Sequence, residues 1–403
     1  MTQTMPVDLL SPTFKANPYP IYAQLRESAP IHRVELPDGT GVWLVTRYAD
    51  AAAVLKDERF IKNWRNAKTQ EQIGDLPQLP AGLEMLSHNM LDLDPPDHTR
   101  LRALVQKAFT PRLIEQMRPR VQAIADELLD AVADQGAMDL IDVYAFPLPI
   151  IIIAEILGVP ADDRDKFRAW SNASVSSHTQ EDFEKVVPLL LQFADYLRNL
   201  FAARRAQPRD DLISALLQAE EQGDTLSEAE VFGMVFLLLV AGHETTVNLI
   251  GNGTLALLTH PDQLAKLRAD PALIKSTVEE LLRYDGPVEQ TTERYAREDI
   301  AIGDVVIPRG EMVLVVLGSA DRDPAHFHDP DTLDITRAES AHLAFGKGIH
   351  FCLGAPLARL EGQIALSTLF RRLPNLRLAA SPEELEWRPG LVLRGMKHLP
   401  VTF

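Results

Sequence analysis

Phe345-Gly346-Lys347-Gly348-Ile349-His350-Phe351-Cys352-Leu353-Gly354 decides how this 403-residue chain is read, because it contains the only cysteine. A lone cysteine forms no internal disulfide. It is an inert core thiol, a nucleophile or a metal ligand. The nearby glycines 346, 348 and 354 let backbone approach something large and flat, since glycine has no Cβ and tolerates positive φ. Beyond the cysteine, Leu353, Leu357, Leu360 and Ile364 recur at steps of four, three and four, which predicts a helix. Pro356 falls in its first turn, where a missing N–H costs little. Cys352 therefore sits at a helix N-terminus, where backbone N–H groups and the helix dipole favour a thiolate.

Composition narrows the class. The chain is 46% hydrophobic and 24% charged, an ordinary globular mixture, and its 6% aromatic content with little strand-like alternation predicts mostly helix. Forty basic and 57 acidic side chains leave a formal charge of −17, which argues against nucleic acid or an anionic membrane as a partner. One cysteine fits a reducing cytosol. The start, Met-Thr-Gln-Thr-Met-Pro-Val-Asp, shows no targeting pattern. The longest apolar run, 232–242, is short for a bilayer and meets His243 and Glu244. A cytoplasmic protein without a membrane anchor is expected.

No internal repeat or low-complexity linker appears. A helix over 19–28 precedes two strands, 31–36 and 42–46, joined by a turn at Pro37-Asp38-Gly39. Residues 59–89 read as irregular cover for a pocket, 97–260 as mainly helical, and 300–316 as strands turning at Pro308-Arg309-Gly310. The fold class expected is mainly α with small β-sheets: one domain over 1–403, a β-rich subregion at about 30–50 and 300–316 plus C-terminal strands, and a helical core at about 95–290 and 353–373. Ser227 and Glu230 form a capping box opening a helix that runs to about residue 258. At about 30 residues it spans roughly 45 Å. It is apolar nearly all round, so the Ala241-Gly242-His243-Glu244-Thr245-Thr246 cluster in its middle is costly to bury. A second helix, 271–284, is capped by Asp270 and ends at Asp285-Gly286.

Several constellations carry chemistry. A buried threonine either back-bonds to the carbonyl four residues earlier and bends its helix, or serves a ligand, and Gly242 suits both. His243-Glu244 begins a zinc-protease motif, but Val247 stands where the second histidine belongs, which removes that reading. Glu280 and Arg283 are placed to pair across one helical turn, a common surface feature. His98 and Arg102, four apart, suit an anion or a solvated face. Arg294 and His350 are unremarkable singly.

Taken together these residues resemble the cytochrome P450 family. Residues 345–354 fill every position of its haem-binding loop, Phe-Gly-x-Gly-x-(His/Arg)-x-Cys-x-Gly. Ala241 to Thr246 matches its oxygen-activating segment, and Glu280-x-x-Arg283 its Glu-x-x-Arg helix. Ala320-Asp321-Arg322-Asp323-Pro324 looks like the segment whose arginine joins that pair. Pro18-Tyr19 and Trp43-Leu44-Val45-Thr46 look like soluble bacterial members. The resemblance implies haem b with the Cys352 thiolate as iron ligand, a donor that favours O–O cleavage. It implies that Phe345, Gly346, Gly348 and Gly354 shape the loop, that Ala241 and Gly242 face the haem, and that His98, Arg102, Arg294 and His350 hold its propionates. Glu244 and Thr245 are the implied acid–alcohol pair that manages protons for dioxygen. Glu280, Arg283 and Arg322 are implied as a structural network, and His243 has no assigned role.

The implied reaction is monooxygenation of an apolar small molecule, by hydroxylation or epoxidation, with O2 as cosubstrate. Electrons are expected from a ferredoxin and its NAD(P)H-dependent reductase, docked near Lys347 and Arg359. Substrate-facing segments are expected at 85–90, 167–175, 240–241, 288–292 and 391–392, with a lid junction at 171–179. The C-terminal half is most similar to macrolide- and polyketide-modifying members of secondary metabolism. A peroxide-dependent peroxygenase and a haem-based sensor are the alternatives. Neither needs the Glu244–Thr245 pair.

Overall fold

The computed structural model describes residues 7–69, 73, 83–107, 109–163, 166–167, 169–170, 180–218, 220–221, 224–338 and 341–403. The chain divides into two compact units. One comprises Met1–Gly74, Arg118–Ala145 and Thr245–Phe403, the other Asp75–Met117 and Phe146–Glu244. The boundary within the central helix falls between Glu244 and Thr245.

The first unit is organised by a five-stranded sheet in the order Ile31–Glu35, Gly41–Val45, Met312–Val315, Arg294–Ala296, Phe60–Ile61. The first two strands form the expected hairpin, with Ile31 opposite Val45 and Gly39 at φ +83° in its turn. Gly41–Val45 then runs parallel to Met312–Val315, with Val42 opposite Met312. Alternation places Val45, Val313 and Val315 on one apolar cluster with Tyr48 and Phe327, and Leu44, Leu314 and Val316 on another with Tyr22 and Leu25. The sheet is therefore buried on both faces. The helix Arg118–Asp130 lies against Ala355–Arg372, tied by Gln122 to Thr368 at 2.9 Å and by Arg372 to Asp130 at 2.6 Å.

The second unit is helical apart from a short antiparallel ladder that pairs Glu220–Glu221 with Asp224–Thr225. Pro147–Leu157 contains four consecutive isoleucines, poor helix formers that burial overrides. It ends at Gly158, left-handed at φ 81°, whose carbonyl accepts from Arg204 at 2.5 Å while Arg204 pairs with Asp211 at 2.6 Å. Phe167, Trp170, Phe193 and Tyr196 form an aromatic cluster. The central helix, Glu228–Thr259, starts on the predicted capping box: Glu230 N–H donates to Ser227 Oγ at 3.3 Å, and Ser227 N–H to Glu230 Oε2 at 2.8 Å. Its helical pattern is unbroken through Glu244–Thr246. Contrary to the reading of a short apolar run, this helix is long and apolar enough to cross a membrane, but 67% of its most apolar window is buried within the fold. It is a core helix.

The segment 59–89 is less irregular than expected: Phe60–Ile61 is a strand, Trp64–Ala67 a helix and Glu84–Ser87 a 3-10 turn, while 70–72 and 74–82 lie outside the described residues. The helix expected over 271–284 opens as a 3-10 turn, Pro271–Leu273, capped by Asp270, and continues as Ile274–Asp285.

Candidate functional site

In the first unit the cysteine loop is built from its glycines. Gly346 and Gly348 adopt φ +68° and +74°. A Cβ on Gly348 would lie 2.5 Å from the Leu55 carbonyl oxygen, so the loop is seated directly on backbone. Gly348–His350 makes a single 3-10 turn, and Cys352 N–H donates back to the Phe345 carbonyl at 2.9 Å. The helix Ala355–Arg372 follows with Gly354 as its cap and Pro356 in its first turn. The thiol of Cys352 is exposed on a loop whose backbone is fixed at both ends. That donor chemistry, a soft sulfur on a glycine cradle whose Phe345 is buried, fits a haem iron. Arg294 opens the strand Arg294–Ala296 and is buried, donating to the Phe60 carbonyl at 3.3 Å.

In the second unit, His98 and Arg102 share the helix Asp97–Gln106. His98 is buried, and burial together with the Arg102 cation holds its imidazolium below the usual range. Mid-way along the central helix, His243 and Glu244 are both buried, with His243 Nε2 3.6 Å from Glu244 Oε2. His243 Nδ1 faces the Leu239 carbonyl at 2.9 Å, and its ring packs edge-on against Phe146. The bare face of Gly242 meets Ile153, where a Cβ would stand 3.1 Å from a methyl carbon. At that face the glycine admits a neighbouring helix. Ala241 is exposed and Thr245 half-buried.

The supporting network differs from the expectation in one member. Glu280 and Arg283 form a buried bidentate pair at 2.7 and 2.8 Å, and Arg283 also donates to the carbonyls of Asp321, Pro330 and Thr332. This is no surface pair. The arginine that joins it is Arg337, 3.1 Å from Glu280 Oε2, and not Arg322. Arg322 instead donates to the Tyr284 carbonyl and stacks on Tyr19 and Tyr284. Asp321, beside it in sequence, accepts from Leu343 N–H, and burial pushes its carboxyl up to about 7. Arg359, expected as a docking cation, is held by Glu279 in a bidentate pair.

Of the segments expected to face substrate, 85–90 packs on the central helix, with Met90 N–H 3.4 Å from Met234 sulfur. Val288 packs against the sheet core, and Glu289 N–H donates to the Val392 carbonyl at 2.9 Å. The lid junction at 171–179 lies outside the described residues. One buried acid escaped the sequence reading: Glu361, on the helix after the cysteine, whose carboxyl burial pushes up to about 8 against the opposing Thr246 hydroxyl. Its spacing from Cys352 was legible, but a glutamate inside an apolar stripe gives no sign of which element faces it.

A single thiol presented on a glycine loop at a helix start, in an α-rich chain whose longest helix carries an acid and an alcohol mid-length, defines a haem-thiolate class of protein. The Cytochrome P450 family model matches residues 165–394. The chain is 50% identical to the cytochrome P450 monooxygenase PikC of Streptomyces venezuelae over 98% of its own length and 93% of that protein's. It is 48% identical to vitamin D(3) 25-hydroxylase of Pseudonocardia autotrophica, over 100% and 97%. The solved structure of the Bacillus subtilis bacillaene polyketide synthase cytochrome P450 PksS superposes with a TM-score of 0.93 at 44% identity, covering 98% of this chain and 99% of that one. The chain belongs to the cytochrome P450 family: it is an oxidoreductase of monooxygenase type with haem b as its cofactor.

Proposed function

We propose that residues 1–403 work as one catalytic domain that inserts one oxygen atom of O2 into a moderately large apolar metabolite, by hydroxylation or epoxidation, in the cytoplasm. The observation that carries this reading is the exposed Cys352 thiol on its backbone-seated glycine loop. Cys352 would hold the haem iron, and the bound haem supplies the oxygen-activating chemistry. Phe345, Gly346 and Gly354 shape the loop around that thiolate, and Ala241 and Gly242 present the central helix to the haem. Arg102, Arg294 and His350 would neutralise the two propionates. His98 would donate a ring N–H to one of them.

Glu244 and Thr245 have the protonic role. Glu244 is buried in an apolar helix, which excludes bulk water from the carboxyl. The Thr245 hydroxyl can hold one water and pass one proton at a time to dioxygen, with Glu244 as the proton's source. Two electrons must be supplied by a partner, read here as a ferredoxin with its NAD(P)H-dependent reductase. Lys347 remains the docking cation beside the cysteine. Polyketide-type and secosteroid-type substrates are supported by the likeness to the bacillaene polyketide synthase cytochrome P450 PksS and to vitamin D(3) 25-hydroxylase. The test is Thr245→Ala with any substrate that produces a low-to-high spin shift. Expected are NAD(P)H and O2 consumption within about twofold of wild type, product down by about tenfold or more, and peroxide raised in its place. Unchanged product per NAD(P)H makes Thr245 structural only.

A further inference from the structure

The helix Ile274–Asp285 carries two consecutive glutamates that face different partners. Glu280 serves Arg283 and Arg337. Glu279 grips Arg359 in a fork, Nε to Oε1 at 2.6 Å and Nη2 to Oε2 at 2.8 Å. Its Oε2 also accepts from His342 Nε2 at 3.1 Å, while His342 Nδ1 accepts from Ala344 N–H at 3.2 Å. In those two contacts Nε2 is the donor and Nδ1 the acceptor. Burial alone would raise the Glu279 carboxyl; hydrogen bonds from His342 and Arg359 overcome it and hold the carboxyl down at about 2.

The guanidinium so held lies 4.5 Å over the Phe345 ring, and the His342 ring centre is 5.9 Å from the same ring. Phe345 is the residue whose carbonyl takes the Cys352 N–H. A continuous line of contacts thus runs from Glu279 through Arg359 and Phe345 to the cysteine. We propose that Glu279 and Arg359 are positioning residues for the thiolate: together they clamp the Phe345 ring and present Cys352 with a compensated charge pair, and so set the reduction potential of the haem held there. This rests on Cys352 being the iron ligand. The charge logic has a definite sign. Glu279→Gln leaves the Arg359 cation uncompensated over the ring of Phe345, whose carbonyl takes the Cys352 N–H, and a net positive charge there favours the reduced, more negative state. Arg359→Gln leaves the Glu279 carboxylate uncompensated and frees the ring, which favours the oxidised state.

The experiment is a spectroelectrochemical titration of the ferric–ferrous couple in the holoenzyme, with carbon monoxide difference spectra and ferredoxin KM alongside. Glu279→Gln is expected to shift the potential positive and Arg359→Gln negative, with the double variant returning towards wild type. Arg359→Lys keeps the charge but not the planar fork, and is expected to fall between wild type and Arg359→Gln. Arg359→Lys also serves as the folded control if Arg359→Gln fails to bind haem. Unmoved potentials with a ferredoxin KM raised many-fold by Arg359→Gln would make Arg359 a docking cation and overturn the proposal. So would single variants shifting in the same direction. A wild-type carbon monoxide complex without the thiolate band would mark failure of the Cys352 assignment instead.

Discussion

At Gly348 the missing Cβ matters more than the backbone freedom usually credited to glycine. Gly346 and Gly348 both have positive φ, but a Cβ on Gly346 would come no closer than 3.9 Å to another residue, whereas on Gly348 it would strike the Leu55 carbonyl at 2.5 Å. Gly346→Ala is therefore expected to cost about 1–2 kcal/mol, the left-handed penalty alone, and to keep its haem. Gly348→Ala adds roughly 1–3 kcal/mol of overpacking against rigid backbone. It should lift the loop off Leu55 and lose most of its haem. Thermal melts and the ratio of Soret to protein absorbance measure both; equal losses from the two variants would refute the seating of the loop. The cysteine itself was legible because its neighbours are special residues at short range. The seat was not, since Leu55 lies almost three hundred residues away.

Among elements, the helices were read well, because capping boxes and apolar periods are local: Ser227 and Glu230 bond as their spacing foretold, and Tyr19–Ser28 is a helix at its predicted bounds. Their partners were read poorly. Arg322 was chosen by its segment, yet Glu280 takes Arg337, 57 residues along, and periodicity says nothing about which of two nearby arginines reaches a given carboxylate. Glu361 gives the contact between the cysteine helix and the central helix a pH dependence. Its folded carboxyl titrates near 8, above the ordinary 4.5 of an unfolded glutamate, so the native state binds the extra proton between those values. The contribution is therefore fully present below about pH 4.5 and is lost as pH rises towards 8, with a slope of up to about 1.4 kcal/mol per pH unit. Glu361→Gln removes that loss. Its melting temperature should match wild type near pH 5 and exceed it at pH 8 to 9. A constant difference across that range would exclude the titration of Glu361.

For the molecule as a whole, composition and the order of motifs were enough to read an α-rich chain with small sheets. They could not reveal how its ends are tied in. Lys15 and Tyr22, near the N-terminus, both bond the buried Glu289, and Arg394 joins Asp285 at 2.6 Å and the Lys15 carbonyl at 2.5 Å. These contacts span most of the sequence, and none belongs to a recognisable motif. Fold, cofactor and chemistry meet in one assignment, the Cys352 thiolate as the haem iron's ligand. The most direct measurement is the absorption spectrum of the dithionite-reduced holoenzyme with carbon monoxide, for wild type and for Cys352→His. Wild type is predicted to give the strongly red-shifted Soret band that a thiolate ligand produces, and Cys352→His to give only the ordinary band of an imidazole-ligated haem. A wild-type spectrum with the ordinary band, or a red-shifted band that survives in Cys352→His, contradicts the account.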